Sequence, residues 1–264
     1  EYMKVYGVLV GKKPLIFTNN DSGYETAIEF KKNGVNPLIL DTRKEPSSDI
    51  ISEAKNLGIE IKFSYVVVAA KGYKKVKSAD IAKISDNKKD LSNIENIECD
   101  CICVSGFWTP SIHLASQSGN KSEFNEKIDA FIPKKSKQKE NTIGSANGKF
   151  SLEETINEAF DKGYEVSNKI TENNNKVSIP TVVEKKSTEH DKFWCVPLPK
   201  GKSYKRFLDF QNDVAVTDIE LALREGFRSI EHVKRYTTLG MATDQGKTSN
   251  LNGLQLVSDI ENKV

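Results

Sequence analysis

Lys13–Phe63 reads KPLIFTNNDSGYETAIEFKKNGVNPLILDTRKEPSSDIISEAKNLGIEIKF, and its punctuation decides the fold. Lys13–Thr18 is an apolar run of strand length. Ser22–Asn33 sets Ala27, Ile28 and Phe30 on one helical face before Gly34 ends the helix. Val35–Asp41 predicts a second strand, Ser47–Leu57 a helix running into Gly58, and Ile59–Phe63 a third strand. A β-α-β-α-β order implies a parallel sheet joined by right-handed crossovers. Working outward, Tyr65–Ala70 and Val76–Ile84 read as a β excursion, and Cys99–Ser105 as a strand returning to the sheet. The expected fold class is therefore α/β, with residues 1–105 forming a small, degenerate Rossmann-like domain.

A dinucleotide-binding domain carries G-x-G-x-x-G at its first β–α turn, so that the backbone approaches a pyrophosphate. Here that turn is Thr18-Asn19-Asn20-Asp21-Ser22-Gly23, with one glycine and with Asp21 where phosphate charge would sit. Asp41, ending the second strand, could hold a ribose hydroxyl or serve structure alone. The unit has the fold of a dinucleotide site without its chemistry.

The 264 residues suffice for one large domain or two modest ones. Well-mixed charge, 39 basic against 37 acidic residues for a net +2, gives no bulk case for nucleic acid or an anionic membrane. No apolar run nears the ~20 residues of a membrane span, and no signal segment opens the chain, so a cytoplasmic protein is expected. Cys99, Cys101 and Cys103 alternate along one strand face, poorly placed to bridge one another and read as small core residues of a reduced compartment. No metal site is expected from them, since thiolate sites favour C-x-x-C turns. His113 follows a Trp-Thr-Pro turn and reads as a packed or surface histidine. The absence of an initiator Met and a strand-like GLQLV near the end suggest a piece cut from something longer.

Beyond residue 105, Gly144–Leu152 (GSANGKFSL) leads into a helix expected to end at Gly163, and residues 164–199 read as a linker that Trp194–Leu198 docks on the body. In Phe207–Asn250, Thr217 reads as the N-cap of a helix ending at Gly226, and Ser229 as that of a second helix, Ile230–Tyr236. A loop dense in Gly, Thr, Asp, Gln, Lys and Asn follows.

From Gly7 onward the chain resembles the α subunit of heterotetrameric bacterial sarcosine oxidases. The residues that carry the resemblance are GVLVGKKPLIFTNNDSGYETA, VSGFWTPSIHLASQSG, GSANGKFSL and DFQNDVAVTDIELALREGFRSIEHVKRYTTLGMATDQGKTSN. The resemblance implies oxidative demethylation of sarcosine to glycine, with electrons passed to oxygen and the one-carbon unit to tetrahydrofolate. It implies β, γ and δ partner subunits, FAD in the β subunit, and FMN at the α–β boundary. The α subunit is implied to hold a two-dinucleotide-domain flavoprotein fold that binds NAD, then a helical module and a folate domain. This chain corresponds to its middle, without the G-x-G-x-x-G half of the NAD domain and without the folate domain. Residues 106–163 are then the C-terminal part of the NAD-binding domain, with Ser145, Ala146, Asn147, Phe150 and Leu152 near the nicotinamide nucleotide. Small residues before a helix N-terminus let a cofactor approach the backbone, although an ordinary strand-to-helix turn looks the same.

Residues 200–257 resemble the helical module of bacterioferritin-associated ferredoxin, a 2Fe–2S protein. Related subunits keep a C-x-C pair and a C-x4-C pair, where this chain has Asp209 and Gln211, then Asp244 and Ser249. Iron–sulfur clusters need soft thiolates, so no cluster is expected. Two carboxylates there could instead pin the loops through backbone N–H groups. By the same resemblance Arg228, Lys234, Arg235, Lys247 and Thr248 approach a flavin phosphate or the β-subunit surface, with Lys247 and Thr248 FMN-proximal. No residue is a convincing general base or nucleophile, so no catalytic residue is assigned. Two alternatives stand beside this: a non-catalytic scaffold, and a helix-turn-helix nucleic-acid binder suggested by the helix pair in outline.

Overall fold

The computed structural model describes residues 1–171, 178–183 and 190–262. The contacts divide the chain into two compact units, one of Glu1–Ser105 with Thr188–Val264, the other of Gly106–Ser187. The parts of the expected linker at 172–177 and 184–189 lie outside the described residues.

In the first unit a short helix α1 (Tyr2–Tyr6) precedes β1 (Pro14–Thr18), α2 (Ser22–Lys32), β2 (Leu38–Asp41), α3 (Asp49–Asn56) and β3 (Glu60–Phe63). A three-stranded antiparallel excursion follows, β4 (Tyr65–Gly72), β5 (Val76–Ile84) and β6 (Leu91–Glu98), before β7 (Cys101–Ser105) returns. The parallel sheet has the order β3-β2-β1-β7, with Ile16 opposite Ile39 and Cys103. Strands β2 and β3 are shorter than their apolar runs, and β6 was not anticipated because its face is nearly all exposed.

Alternation of side chains along each strand builds two cores. Ile16 and Ile39 point to one face, where Tyr24, Ala27, Ile28 and Phe30 of α2 and Ile51 and Ala54 of α3 cover them. Leu15 and Leu40 point to the other and meet Ala79 and Ile81 of β5 with Cys99. The helices cover one side of the sheet and the antiparallel excursion covers the other. Near-continuous apolar runs in β1 and β2 follow from burial on both faces.

The second unit contains α4 (His113–Gln117), a hairpin of β8 (Ser122–Asn125) with β9 (Ala130–Pro133), a 3₁₀ turn (Gly144–Asn147) and α5 (Leu152–Thr171). Helix α5 does not end at Gly163 as expected but continues to Thr171. One glycine costs a helix interior only about 1 kcal/mol; Lys162 pairs with Glu165 across the site at 2.9 Å, and Glu165 pairs with Lys169 in the turn beyond it at 2.7 Å.

The chain then returns to the first unit with β10 (Phe207–Asp209), β11 (Val214–Ala215), α6 (Val216–Arg224), α7 (Ile230–Thr237) and α8 (Asn250–Glu261). Here two expectations are corrected. Thr217 lies inside the first turn of α6, whose N-cap is Ala215; the acidic side chain of Asp218 accepts from Ala215 N at 2.8 Å. The strand-like GLQLV lies inside α8, because Gly253, Leu256 and Val257 share one helical face and bury it against Leu239 and α6. Ser229 is the N-cap position of α7 as expected, with its carbonyl accepting from His232 N and Val233 N. Cys195, from the stretch expected to dock, packs on this helical core.

Candidate functional site

At the first β–α turn, side chains of the protein itself take the place of a ligand. Asn20 Oδ1 accepts from Ser22 N at 2.8 Å and from Ser22 Oγ at 2.6 Å, and Asp21 O accepts from Tyr24 N. These amides of the first turn of α2 are the groups a pyrophosphate would use. A Cβ on Gly23 would lie 2.6 Å from Thr18 Cβ, so this glycine serves helix-on-strand packing and not cofactor approach. The residues present do not fit a dinucleotide.

Asp41 is likewise committed. Fully buried, it accepts from Tyr24 Oη at 2.6 Å, from Arg43 N at 2.9 Å and from the Arg43 guanidinium at 2.8 Å, while Arg43 also pairs with Asp21 at 2.8 Å. The structural reading of Asp41 holds, and the ribose reading does not. Burial, reinforced by the Asp41 charge, raises the Tyr24 hydroxyl well above the ordinary phenol value. Burial opposes the Arg43 cation, but Asp41 and Asp21 outweigh it and keep its pKa raised.

Sequence reading missed the neighbouring feature. Beyond the carboxyl ends of β2 and β3 opens a crevice of about 510 Å³ whose lining includes Thr42, Lys44, Ser64, Lys88, His190 and Asp191. Asp191 enters it from far along the chain, accepting from Thr42 Oγ1 at 3.0 Å and pairing with the Lys88 ammonium. Nothing local in sequence marks Asp191, since its partners lie 149 and 103 residues away.

In the helical module, Asp209 is buried at 3% exposure on β10. Its Oδ1 accepts from Gln211 N at 2.9 Å and Asn212 N at 3.3 Å, and its Oδ2 from Gly240 N at 2.9 Å. Asn212 Nδ2 reaches Thr238 O at 2.9 Å. One carboxylate thus staples the β10–β11 turn to the turn after α7, as the loop-pinning reading expected. Asp244 accepts from Gly246 N and from Thr248 Oγ1, the latter at 2.9 Å, and these bonds hold its carboxyl below the usual range. Thr248 is therefore engaged inside the loop, while Lys247 is exposed beside it. Ser249 is fully buried, with its hydroxyl unpartnered. The donor set of two carboxylates, an amide and a hydroxyl does not fit an iron–sulfur cluster. Arg228, expected to approach a flavin phosphate or the β-subunit surface, pairs with Glu261 at 2.8 Å.

Of the expected NAD-side residues, Ser145, Ala146 and Asn147 lie on the 3₁₀ turn, Phe150 in the loop after it and Leu152 at the start of α5. Glu158 closes that turn, accepting from Gly144 N and from Asn147 Nδ2, each at 2.8 Å. A Cβ on Gly148 would lie 2.8 Å from Ile128 Cδ1, so protein fills that approach. Ser145, Phe150 and Leu152 are exposed, and Ala146 is half-buried. His113 is at the surface, 3.4 Å from Ser111 Oγ.

Cys99 is buried; Cys101 and Cys103 are half-buried on β7 with their sulfurs 3.6 Å apart. Burial, then the charge of Cys101, pushes the Cys103 thiol up to about 12. The thiol form, which is not the nucleophile, dominates at pH 8. Cys103 is therefore expected to escape iodoacetamide at pH 8 in the native chain and to react fully after denaturation. Peptide mass mapping reads this, and stoichiometric native alkylation of Cys103 would contradict it.

Comparison with known proteins bears on these sites. Residues 203–264 match the family model described as the sarcosine oxidase A3 domain. The chain is 32% identical over 259 residues to sarcosine oxidase subunit alpha of Rhizobium meliloti (strain 1021), covering 97% of this chain and 25% of that protein. It is 26% identical over 265 residues to the subunit of the same name from Corynebacterium sp. (strain P-1), covering 98% and 27%. Among solved structures, the bacillithiol disulfide reductase of Staphylococcus aureus is 17% identical with a TM-score of 0.37, over 53% of this chain and 47% of that one. The chain spans about a quarter of the length of the curated relatives it matches. Over nearly all of its own length, this chain is similar to sarcosine oxidase α subunits, and residues 203–264 match the A3 domain of that subunit.

Proposed function

We propose that this chain is an internal part of the α subunit of a sarcosine oxidase. In that reading it contributes structure to a cytoplasmic, heterotetrameric flavoenzyme that demethylates sarcosine to glycine, with tetrahydrofolate as one-carbon acceptor. The observation that carries the reading is the similarity to such subunits along 97% of the chain. Its partners are then the β, γ and δ subunits, with FAD held by β, NAD by the α subunit and FMN at the α–β boundary. In this reading no acid, base or nucleophile is assigned among the described residues, and the chain positions surfaces.

The residues present fit these groups only in part. Toward NAD, Ser145 offers an exposed hydroxyl, and Ala146, Phe150 and Leu152 an apolar surface, while the Asn147 amide is spent on Glu158 and shapes the turn. Residues 106–163 then act as the rim of the NAD domain. Toward FMN, Lys247 offers an exposed ammonium to a phosphate, and Thr248 holds the neighbouring Asp244. When bound, a flavin supplies the electron-accepting chemistry, which no side chain here can supply.

The test assembles the four subunits with Lys247→Ala or Thr248→Ala in the α subunit and measures FMN content by mass spectrometry after digestion, apart from the FAD of the β subunit. Lys247→Ala is expected to lower flavin loading several-fold, and Thr248→Ala less, because its loss acts through Asp244. Unchanged loading in both would sink the flavin contact. It would favour the second reading, a ligand-free scaffold, which the internal use of the Thr248 and Asn147 side chains supports.

A further inference from the structure

The crevice beyond β2 and β3 holds an unusual guest, a carboxylate of the protein itself. Asp191 N donates to Asn19 O at 2.8 Å, and Asn19 Nδ2 donates to Asp191 O at 2.8 Å, so the strap around residue 191 is clamped by its backbone. Its side chain then reaches inward to the Thr42 hydroxyl and the Lys88 ammonium. Thr42 is 5% exposed, and the Lys88 ammonium is fixed further by Lys192 O at 3.0 Å. A buried hydroxyl and a held ammonium converging on one carboxylate is the chemistry that recognises an oxyanion.

Four further observations mark the crevice as more than a gap under a strap. It lies outside the carboxyl ends of parallel strands, where open α/β sheets bind ligands. Its volume of about 510 Å³ is that of a small-molecule site. Two residues lining it, Ser64 at φ 57° and Lys88 at φ 59°, are held in the left-handed region without being glycine. Such strain persists where surrounding structure imposes it, and it concentrates at binding sites. Lys44, paired with Asp86 at 3.4 Å and well exposed, is a second cation at the mouth.

We propose that Thr42 and Lys88 form an oxyanion subsite that Asp191 occupies in the ligand-free chain. A small molecule bearing a phosphate or carboxylate displaces it, lodging its remaining atoms in the crevice and loosening the strap. Ligand and strap compete for one position, so a change that weakens Asp191 there and leaves Thr42 and Lys88 intact strengthens the ligand.

The test titrates this chain with inorganic phosphate by calorimetry, comparing the native sequence with Lys88→Met and Asp191→Asn. Lys88→Met is expected to weaken phosphate at least about tenfold, the scale of one lost charge-assisted bond. Asp191→Asn is expected to tighten it by a similar factor, because the internal competitor has lost its charge. An adventitious surface ion would be indifferent to Asp191. Absence of phosphate heat in both the native chain and Asp191→Asn, or equal affinity across all three proteins, overturns the proposal. Hydrogen exchange on the native chain keeps the test decisive if Asp191→Asn fails to fold. Saturating phosphate should speed exchange of the Asp191 amide, and an unchanged rate counts against the proposal.

Discussion

Arg43→Met is expected to cost the α/β unit about 3–5 kcal/mol, the usual penalty for removing one partner of a buried ion pair. The Asp41 side chain has no exposure, so the substitution strands a carboxylate that cannot reach water. Tyr24 Oη and the backbone N–H of residue 43 would still donate to it, but two neutral donors do not offset the loss of a bidentate cation. Denaturant unfolding measures the loss. The double variant with Asp41→Asn should recover part of it, since the buried charge is then gone. A loss under about 1 kcal/mol would mean that water reaches Asp41 after all, and the network would be decoration on a core held by Ile16, Ile39 and Phe30.

The second large effect is at Asp209. Replacing it by Ala removes the acceptor for Gln211 N, Asn212 N and Gly240 N at once and leaves donors near a 3%-exposed position unsatisfied. The expected loss is about 3 kcal/mol, confined to the helical module. Asp209→Asn keeps one accepting oxygen and should lose roughly half as much. Hydrogen exchange should localise the effect, with Gly240 N and Gln211 N losing protection first. Protection unchanged at Gly240 in the Ala variant would show that the two turns meet without the carboxylate.

Local patterns made much of the architecture legible. Apolar runs at β1 and β2, the helical spacing of Ala27, Ile28 and Phe30, and the glycines ending the first helices yielded the parallel sheet and its order of elements. Patterns misled where a residue's context is tertiary. GLQLV alternates like a strand, yet Gly253 faces Leu239 so closely that only a helix lacking a side chain there packs. Gly163 looked like a stop, but α5 buries none of its residues and the Lys162–Glu165 pair spans the glycine. The missing cluster ligands were visible as residue types, and the role of Asp209 followed from its chemistry. Asp191 was invisible for a plainer reason: its partners are set by chain return, and no periodicity encodes that.

The turn before α2 carries a historical consequence. Asp21, Asp41 and Arg43 satisfy one another, and Asn20 is spent on Ser22, so none of the three charged residues can change alone toward a phosphate-receiving loop. Dropping Asp21 to admit phosphate loosens Arg43, and dropping Arg43 strands Asp41. Any route that opens this turn to phosphate therefore passes through a less stable intermediate. The network works as a ratchet, and the fold can persist while that chemistry stays inaccessible by single steps.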